Sequence, residues 1–199
     1  MQGWDSARFR GEAAAVATVV GYHGCQRPFA DRVRSGQITP AQWQPSQNVF
    51  DWSGEGIYFW EDSRTRAEQW AVEQFGDEAD VLEVVVDLGQ CLNLLESTYH
   101  EALRATYRNL RTVYRSQGWT LPKNKRNQHD LDCLVMNKFV KFMERFEGQQ
   151  GIRFQTVRGV FEEGRPLFPG SAIRTQSHIQ IAVRDVTCLR IHPDERGDQ

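Results

Sequence analysis

The sequence predicts a single α+β domain, with strands near both ends of the chain and helices in the middle. Short apolar runs rich in Val and Ile, which are typical of buried strands, occur near both ends. Between them, apolar residues recur at helical spacing over two long segments. A length of 199 residues, with 40% hydrophobic and 25% charged residues, is ordinary for one globular domain.

The first third of the chain predicts a strand, a helix and a second strand after a long loop. Residues 15–22 are apolar and predict the first strand, and Pro28 marks the start of the helix that follows. Residues 36–56 contain five Gly or Pro together with two Trp, so we expect a long, functional loop. Residues 57–60 predict a short strand.

The middle and the end of the chain supply the remaining elements. A helix is expected from the N-cap Ser63 to Gly76, followed by a strand over 81–88. Two amphipathic helices are expected, over 98–117 and from Asp130 onward. Three strands close the chain, over residues 152–161, 178–183 and 186–191.

The composition excludes several classes of protein. A mean hydropathy of -0.59, without a long apolar run, excludes a transmembrane helix and predicts no membrane partner. The four Cys have no metal-ligand spacing, which predicts reduced thiols, no metal site and a cytoplasmic protein.

Charge is unevenly distributed along a chain whose net charge is only -2. Residues 98–145 hold ten Lys or Arg and four Asp or Glu, so that this segment has a net charge of +6. We therefore define a basic helical insertion at about residues 96–147, within one domain spanning 1–199. A basic segment in an otherwise acidic protein favours an acidic macromolecule as partner.

Two short motifs carry the candidate chemistry. His23-Gly24 lies at the end of the first predicted strand, where a glycine permits close approach of a ligand and the imidazole offers a ring N–H. The second motif is Gly54-Glu55-Gly56-Ile57-Tyr58-Phe59, in which two glycines precede an aromatic strand. Glycine leaves room for a flat ligand, and tyrosine provides a stacking face.

Together these motifs resemble the NAD-binding motifs of the H-Y-E class of ADP-ribosyltransferases, which includes diphtheria toxin and the poly(ADP-ribose) polymerases. The resemblance implies a split β-sheet core and NAD as substrate. It implies that His23 binds a ribose of NAD, that the Gly24 backbone holds the nicotinamide amide and that Tyr58 stacks on the nicotinamide. Gly56 belongs to the same pocket. A second stacking aromatic is expected on the next helix, where Gln69 has the matching spacing and Trp70 lies beside it.

The third motif of the family differs here. Residues 180–185 match its late strand, but Gln180 stands where the family has its catalytic glutamate. Glutamine supplies no charge to stabilise an oxocarbenium ion. Two acids precede this strand, and we expect Glu163, rather than Glu162, to act as the acid or base. His178 is an alternative candidate for this role. Alternatively, both acids are solvated turn carboxylates that take no part in catalysis.

The insertion suggests what accepts the ADP-ribose. Four of its arginines recur at intervals of three or four residues and so line one face of a helix. Lys138 belongs to a second basic stripe. The arginine stripe consists of Arg104, Arg108, Arg111 and Arg115. Such cations suit phosphates, so RNA is the favoured acceptor, although a solvated helix face would show the same pattern.

The resemblance extends to bacterial toxins and phage-defence effectors that modify RNA, which share the segment ending in Trp60-Glu61 and the strand from His178. It implies a toxin with an antitoxin or immunity protein as partner. Transfer to a protein and a non-catalytic NAD-binding module stand as alternatives. The NAD-dependent RNA 2′-phosphotransferases are a further alternative, but the basic constellation that they require is not found.

Overall fold

The structure, a computed structural model, describes residues 17–49, 51–125, 128–145 and 151–191. Within these ranges, seven strands form one mixed sheet with four α-helices around it, which confirms the predicted α+β class. The strands are Thr18–Gln26 (β1), Ile57–Glu61 (β2), Ala79–Asp87 (β3), Cys91–Asn93 (β4), Thr156–Phe161 (β5), His178–Val183 (β6) and Leu189–Ile191 (β7). The helices are Arg27–Arg34 (α1), Arg64–Phe75 (α2), His100–Ser116 (α3) and Asp130–Arg145 (α4).

The sheet has the strand order β4-β5-β6-β2-β1-β3-β7. All neighbouring strands are antiparallel except β4 and β5, which are parallel. Strands that are far apart in the sequence therefore meet at the centre of the sheet, where β2 lies between β1 and β6.

Both faces of the sheet are covered, and each face has its own apolar core. On one face, Val33 of α1 and Trp43 of the long loop pack with Phe59, Val84 and Ile181 of the strands. The opposite face is covered by α2, which follows β2, and by α4, which belongs to the insertion. There α2 packs Ala67 and Ala71 against Trp60, while α4 packs Phe139 and Val140 near Leu92 and Val157. The predicted helical insertion is thus part of the core.

Some predicted boundaries differ from the structure. The first strand continues to Gln26 because β3 pairs with β1 along all nine residues, including the polar ones. The last strand begins only at Leu189, because Val186–Cys188 forms a 3-10 turn whose N-cap, Asp185, accepts from the Thr187 N–H. Predicted positions 15–16, 146–147 and 192–199 lie outside the described residues.

Two further properties concern the helices and the cysteines of the described ranges. None of their helices combines the length and the apolar character needed to cross a membrane. The four cysteines are buried or half-buried and form no disulfide within them.

Candidate NAD site on β1, β2 and β6

The three strands that carry the predicted motifs are neighbours at the centre of the sheet. β1 carries His23 and Gly24, β2 carries Tyr58, and β6 carries Gln180. Trp60 of β2 pairs with Tyr22 of β1 on one side and with Gln180 on the other. Residues separated by 157 positions in the sequence, from 23 to 180, therefore lie within three adjacent strands.

The ladder between β1 and β2 is short and ends at the His-Gly motif. It consists of the pairs Gly21–Glu61 and Tyr22–Trp60, whereas β1 pairs with β3 along its whole length. Beyond Tyr22 no ladder pair joins β1 to β2, and the His23 ring bridges the strands instead, with Nδ1 2.9 Å from the Tyr58 carbonyl oxygen. The sheet thus opens between β1 and β2 beside Gly24.

The protonation of His23 follows from this contact. A carbonyl oxygen only accepts, so Nδ1 carries the proton and donates it to Tyr58. Burial lowers the pKa of His23, so the ring is neutral at pH 7 and Nε2 is an acceptor. The sequence analysis expected His23 to offer a ring N–H to a ligand. In the structure the Nδ1 N–H is donated to the Tyr58 carbonyl.

Gly24 lies directly under α2. A Cβ at this position would come within 2.9 Å of the Ala67 carbonyl oxygen and of the Trp70 ring. The close approach that requires glycine here is therefore that of the helix. Trp70 also packs with Trp60, at a ring-centroid distance of 5.4 Å, and with Phe75, so these contacts account for its aromatic side chain.

Tyr58 is held by its hydroxyl group. The hydroxyl donates to the Gly54 carbonyl at 2.6 Å and accepts from the Ser53 N–H at 3.2 Å, and burial raises its pKa well above the usual range. Gly56, two residues before Tyr58, permits close packing on β6, since a Cβ there would lie 3.0 Å from the Ala182 Cβ. The side of the Tyr58 ring packs against the core beneath α4.

The glycine loop is fixed by residues that the sequence analysis did not single out. Gly54 has a φ of +79°, and a Cβ there would lie 2.4 Å from Asn137 Oδ1. The same Asn137 oxygen accepts from the Glu55 N–H at 2.9 Å, and Arg184 donates to the Glu55 carbonyl at 2.7 Å. Asn137 lies 82 residues from Glu55 and Arg184 lies 129 residues from it, so no local pattern reveals these pairs.

At the third motif, the structure separates the two candidate acids. The Glu163 carboxylate accepts from Arg66 at 2.8 Å and lies 3.9 Å from His178 Nδ1, whereas Glu162 is exposed. The Gln180 side chain is partly exposed, and no described residue forms a hydrogen bond with it. Burial lowers the pKa of His178, whose Nδ1 donates to the Gln176 carbonyl at 2.8 Å.

A row of rings extends from the glycine loop to this acid. Trp52 lies against His129 and Phe161, with centroid distances of 3.5 and 4.3 Å, and Phe161 in turn contacts His178. His178 also contacts Trp60 of the central strand. This row gives the site a largely aromatic wall, to which Trp52, from the long loop, and His129, from the insertion, contribute.

All four arginines of the stripe are exposed on α3, but they differ in their ion pairs. Arg104 and Arg108 both contact Glu101, at 3.6 and 2.7 Å. Arg111 and Arg115 lie on the exposed last turns of the helix, and neither has an ion pair within the described residues. Lys138 of α4 is exposed as well.

Trp119, which the sequence analysis overlooked, lies just after the arginine stripe. The residue is 61% exposed, although its ring contacts Tyr114 at a centroid distance of 5.7 Å and its backbone N–H donates to the Tyr114 carbonyl. An exposed tryptophan next to unpaired arginines is the residue type that stacks on nucleic-acid bases. Its signal in the sequence is a lone Trp directly after a Gly that ends a basic helix.

Comparisons of the chain with protein-family models, with curated proteins and with solved structures find no match. Among the described residues, no group of three His, Cys, Asp or Glu side chains is arranged to hold a metal ion.

Proposed function

We propose that this protein is an NAD-dependent mono-ADP-ribosyltransferase that transfers ADP-ribose from NAD to RNA. The observation that carries the proposal is the meeting of the three motifs on β1, β2 and β6, at the point where β1 and β2 separate. Motifs with no common role need not be adjacent in a seven-stranded sheet. In this proposal the opening between β1 and β2 corresponds to the split sheet of an ADP-ribosyltransferase-like core.

Each motif residue then has a defined part in binding NAD. His23 acts through the strand edge in this proposal: its ring packs among aromatic side chains on the α1 face of the sheet, opposite the Tyr58 ring, and its Nδ1 proton is donated to the Tyr58 carbonyl beside the opening. The Tyr58 ring stacks on the nicotinamide, and its bonded hydroxyl fixes the angle of the ring. The Gly24 backbone, which no ladder pair joins to β2, binds the nicotinamide amide.

The chemistry proposed is dissociative. The bond between the ribose and nicotinamide breaks, the ribose gains oxocarbenium character and the acceptor attacks. The protein contributes by holding NAD in a bent conformation, stacking the leaving group and placing the acceptor. NAD is the substrate, and the proposed reaction uses no metal.

RNA as acceptor is supported by the exposed cations on α3. A solvated helix face normally mixes charges of both signs, but the last two turns of α3 present Arg111 and Arg115 without an acidic partner in the described residues. Trp119 adds a stacking surface beside them. Cations and an exposed ring together favour a nucleic acid over an acidic protein surface.

Modification of RNA inside a cell would harm that cell, so the proposal includes a role as a toxin. Such a protein acts in the cytoplasm and is controlled by an antitoxin or immunity protein.

The test is incubation with labelled NAD and a total cell lysate. The expected result is released nicotinamide together with label that RNase, but not protease, removes from the macromolecular fraction. Label removed by protease would identify a protein acceptor. Absence of nicotinamide release would leave a non-catalytic NAD-binding module, which the glutamine at position 180 favours.

A matched pair of histidine variants links the activity to the site. His23→Ala is expected to abolish label transfer. His100→Ala is the control, because His100 is also half-buried and makes one hydrogen bond to a backbone carbonyl, that of Leu94 at 3.0 Å, outside the site. Equal activity of the two variants would contradict the assignment of His23.

A further inference from the structure

Arg66 is a buried cation on the first turn of α2. Only 10% of its side chain is exposed, and its guanidinium donates to Gln69 Oε1 at 3.1 Å and to Glu163 Oε2 at 2.8 Å. Its third nitrogen, Nε, is buried and has no hydrogen-bond partner among the described residues. Burial of a guanidinium is costly, and an ion pair at such a position is weak evidence of a role in stability.

Glu163 is held on one side only. Its side chain is 35% exposed, so the carboxylate is bound by Arg66 from within and is accessible from solvent. The Nδ1 proton of His178 is donated to Gln176, which leaves Arg66 as the residue that orients the carboxylate. Glu162, its neighbour, has no ion pair within the described part of the chain.

The cluster adjoins the third motif. His178 begins β6 and contacts both Glu163 and Trp60, and Gln180 lies two residues further along the same face of the strand. Trp60 and Gln180 are a cross-strand pair. The carboxylate that Arg66 holds therefore contacts His178, two residues before the position where a neutral glutamine replaces an acid.

We propose that Arg66 is a positioning residue that fixes the Glu163 carboxylate as the general base of the transfer. This inference rests on the function proposed above. The bond between C1′ and the nicotinamide nitrogen breaks, and its electron pair stays with that nitrogen, so nicotinamide leaves as a neutral molecule. A lone pair of the acceptor oxygen or nitrogen forms the new bond to C1′. The acceptor proton passes to Glu163 and then to solvent.

A double-mutant cycle tests this coupling. The variants are Arg66→Met, Glu163→Gln and the two combined, assayed for transfer of label from NAD and for KM of NAD. Arg64→Met is a matched control, because Arg64 lies on the same helix in an exposed ion pair with Glu68 at 2.9 Å. Glu162→Gln is the control for the acid.

A general base contributes about 100-fold or more to the rate, so Glu163→Gln is expected to lower kcat by about that factor. Arg66→Met is expected to lower kcat by about 10-fold or more, with KM for NAD unchanged, because the carboxylate loses its orientation rather than its charge. The combined variant is expected to be no slower than Glu163→Gln alone, and both controls are expected to stay within about 2-fold of wild type.

Losses that multiply in the combined variant would overturn the inference, because Arg66 would then act independently of Glu163. If Arg66→Met does not fold, as judged by circular dichroism, Arg66→Lys replaces it in the same cycle. Lysine keeps the charge but not the fork geometry, so we expect Arg66→Lys to lower kcat partially. In the Glu163→Gln background we expect Arg66→Lys to cause no further loss of kcat. Wild-type protein that releases no nicotinamide would instead refute the proposed function.

Discussion

Substitution of phenylalanine for Tyr58 separates the two tasks that the structure gives this residue. Tyr58→Phe keeps the ring that is proposed to stack on nicotinamide, but it removes the hydroxyl that joins the ring to the glycine loop. The hydroxyl donates to the Gly54 carbonyl and accepts from the Ser53 N–H, and both residues are buried. Alanine would remove ring and hydroxyl together and leave a cavity, so it cannot distinguish these tasks.

The expected loss of stability follows from the two bonds. Each buried backbone group left without a partner costs about 1–3 kcal/mol, and relaxation of the loop recovers part of this cost. We therefore expect the free energy of unfolding to fall by about 2–4 kcal/mol in Tyr58→Phe. Urea unfolding, followed by tryptophan fluorescence, measures this change. Tyr107→Phe is the control, because no described residue forms a hydrogen bond with the Tyr107 hydroxyl.

Activity gives the second half of this test. If the ring carries the stacking, Tyr58→Phe retains nicotinamide release within about 10-fold of wild type at a temperature where it is folded, whereas Tyr58→Ala loses it. A Tyr58→Phe protein as stable as Tyr107→Phe would refute the role of the hydroxyl. A folded Tyr58→Phe protein as inactive as Tyr58→Ala would refute the stacking role.

Three further predictions address the third motif, the acceptor and the pH dependence of stability. Gln180→Ala is expected to lower kcat more than it raises KM for NAD, and a change in KM alone would mean that the third motif is misplaced. Arg111→Glu with Arg115→Glu is expected to flatten the salt dependence of RNA modification by about 1.4 in log–log slope and to leave NAD hydrolysis unchanged. The matched pair Arg104→Glu with Arg108→Glu, whose arginines already contact an acid, should flatten it less. Below the unfolded-state histidine pKa of about 6.5, the free energy of unfolding should fall as pH falls. The fall is at most about 1.4 kcal/mol per pH unit for each histidine whose folded-state pKa is lowered. Equal urea midpoints at pH 7.5 and 5.5 would contradict this prediction. The histidines concerned are His23, His129 and His178.

The sequence predicted those elements whose boundaries are marked by local chemistry. The strand predicted over 178–183 is found as His178–Val183, and α2 begins after Ser63 and ends before Gly76, which has a φ of +57°. β4 was not predicted, because three residues are too short to show an alternating pattern and its pairing partner, β5, lies far along the chain. The adjacency of β1, β2 and β6 was expected only from the resemblance.

The supports of the candidate site were beyond prediction from sequence for a physical reason. Arg66 and Glu163 are 97 residues apart, and buried ion pairs of this kind have no periodicity or spacing that marks them. An arginine in the first turn of an amphipathic helix is typical of a solvated position, so the burial of Arg66 becomes apparent only when Glu163, just beyond the end of β5, is placed beside α2. The same holds for Asn137, whose contact with the glycine loop depends on the docking of α4.

The docking of α4 also decides how the basic insertion can be studied. Asn137 binds the glycine loop, Lys141 lies 3.3 Å from Glu55 of that loop, and Phe139 belongs to the core cluster against which Tyr58 packs. The insertion is therefore one wall of the candidate NAD site as well as the carrier of the exposed arginines. Deletion of the insertion would disrupt both proposed functions together, because it removes the packing of Tyr58. Substitutions confined to the exposed face of α3, which packs on α4 rather than on the motif strands, are the changes that can separate acceptor binding from NAD cleavage.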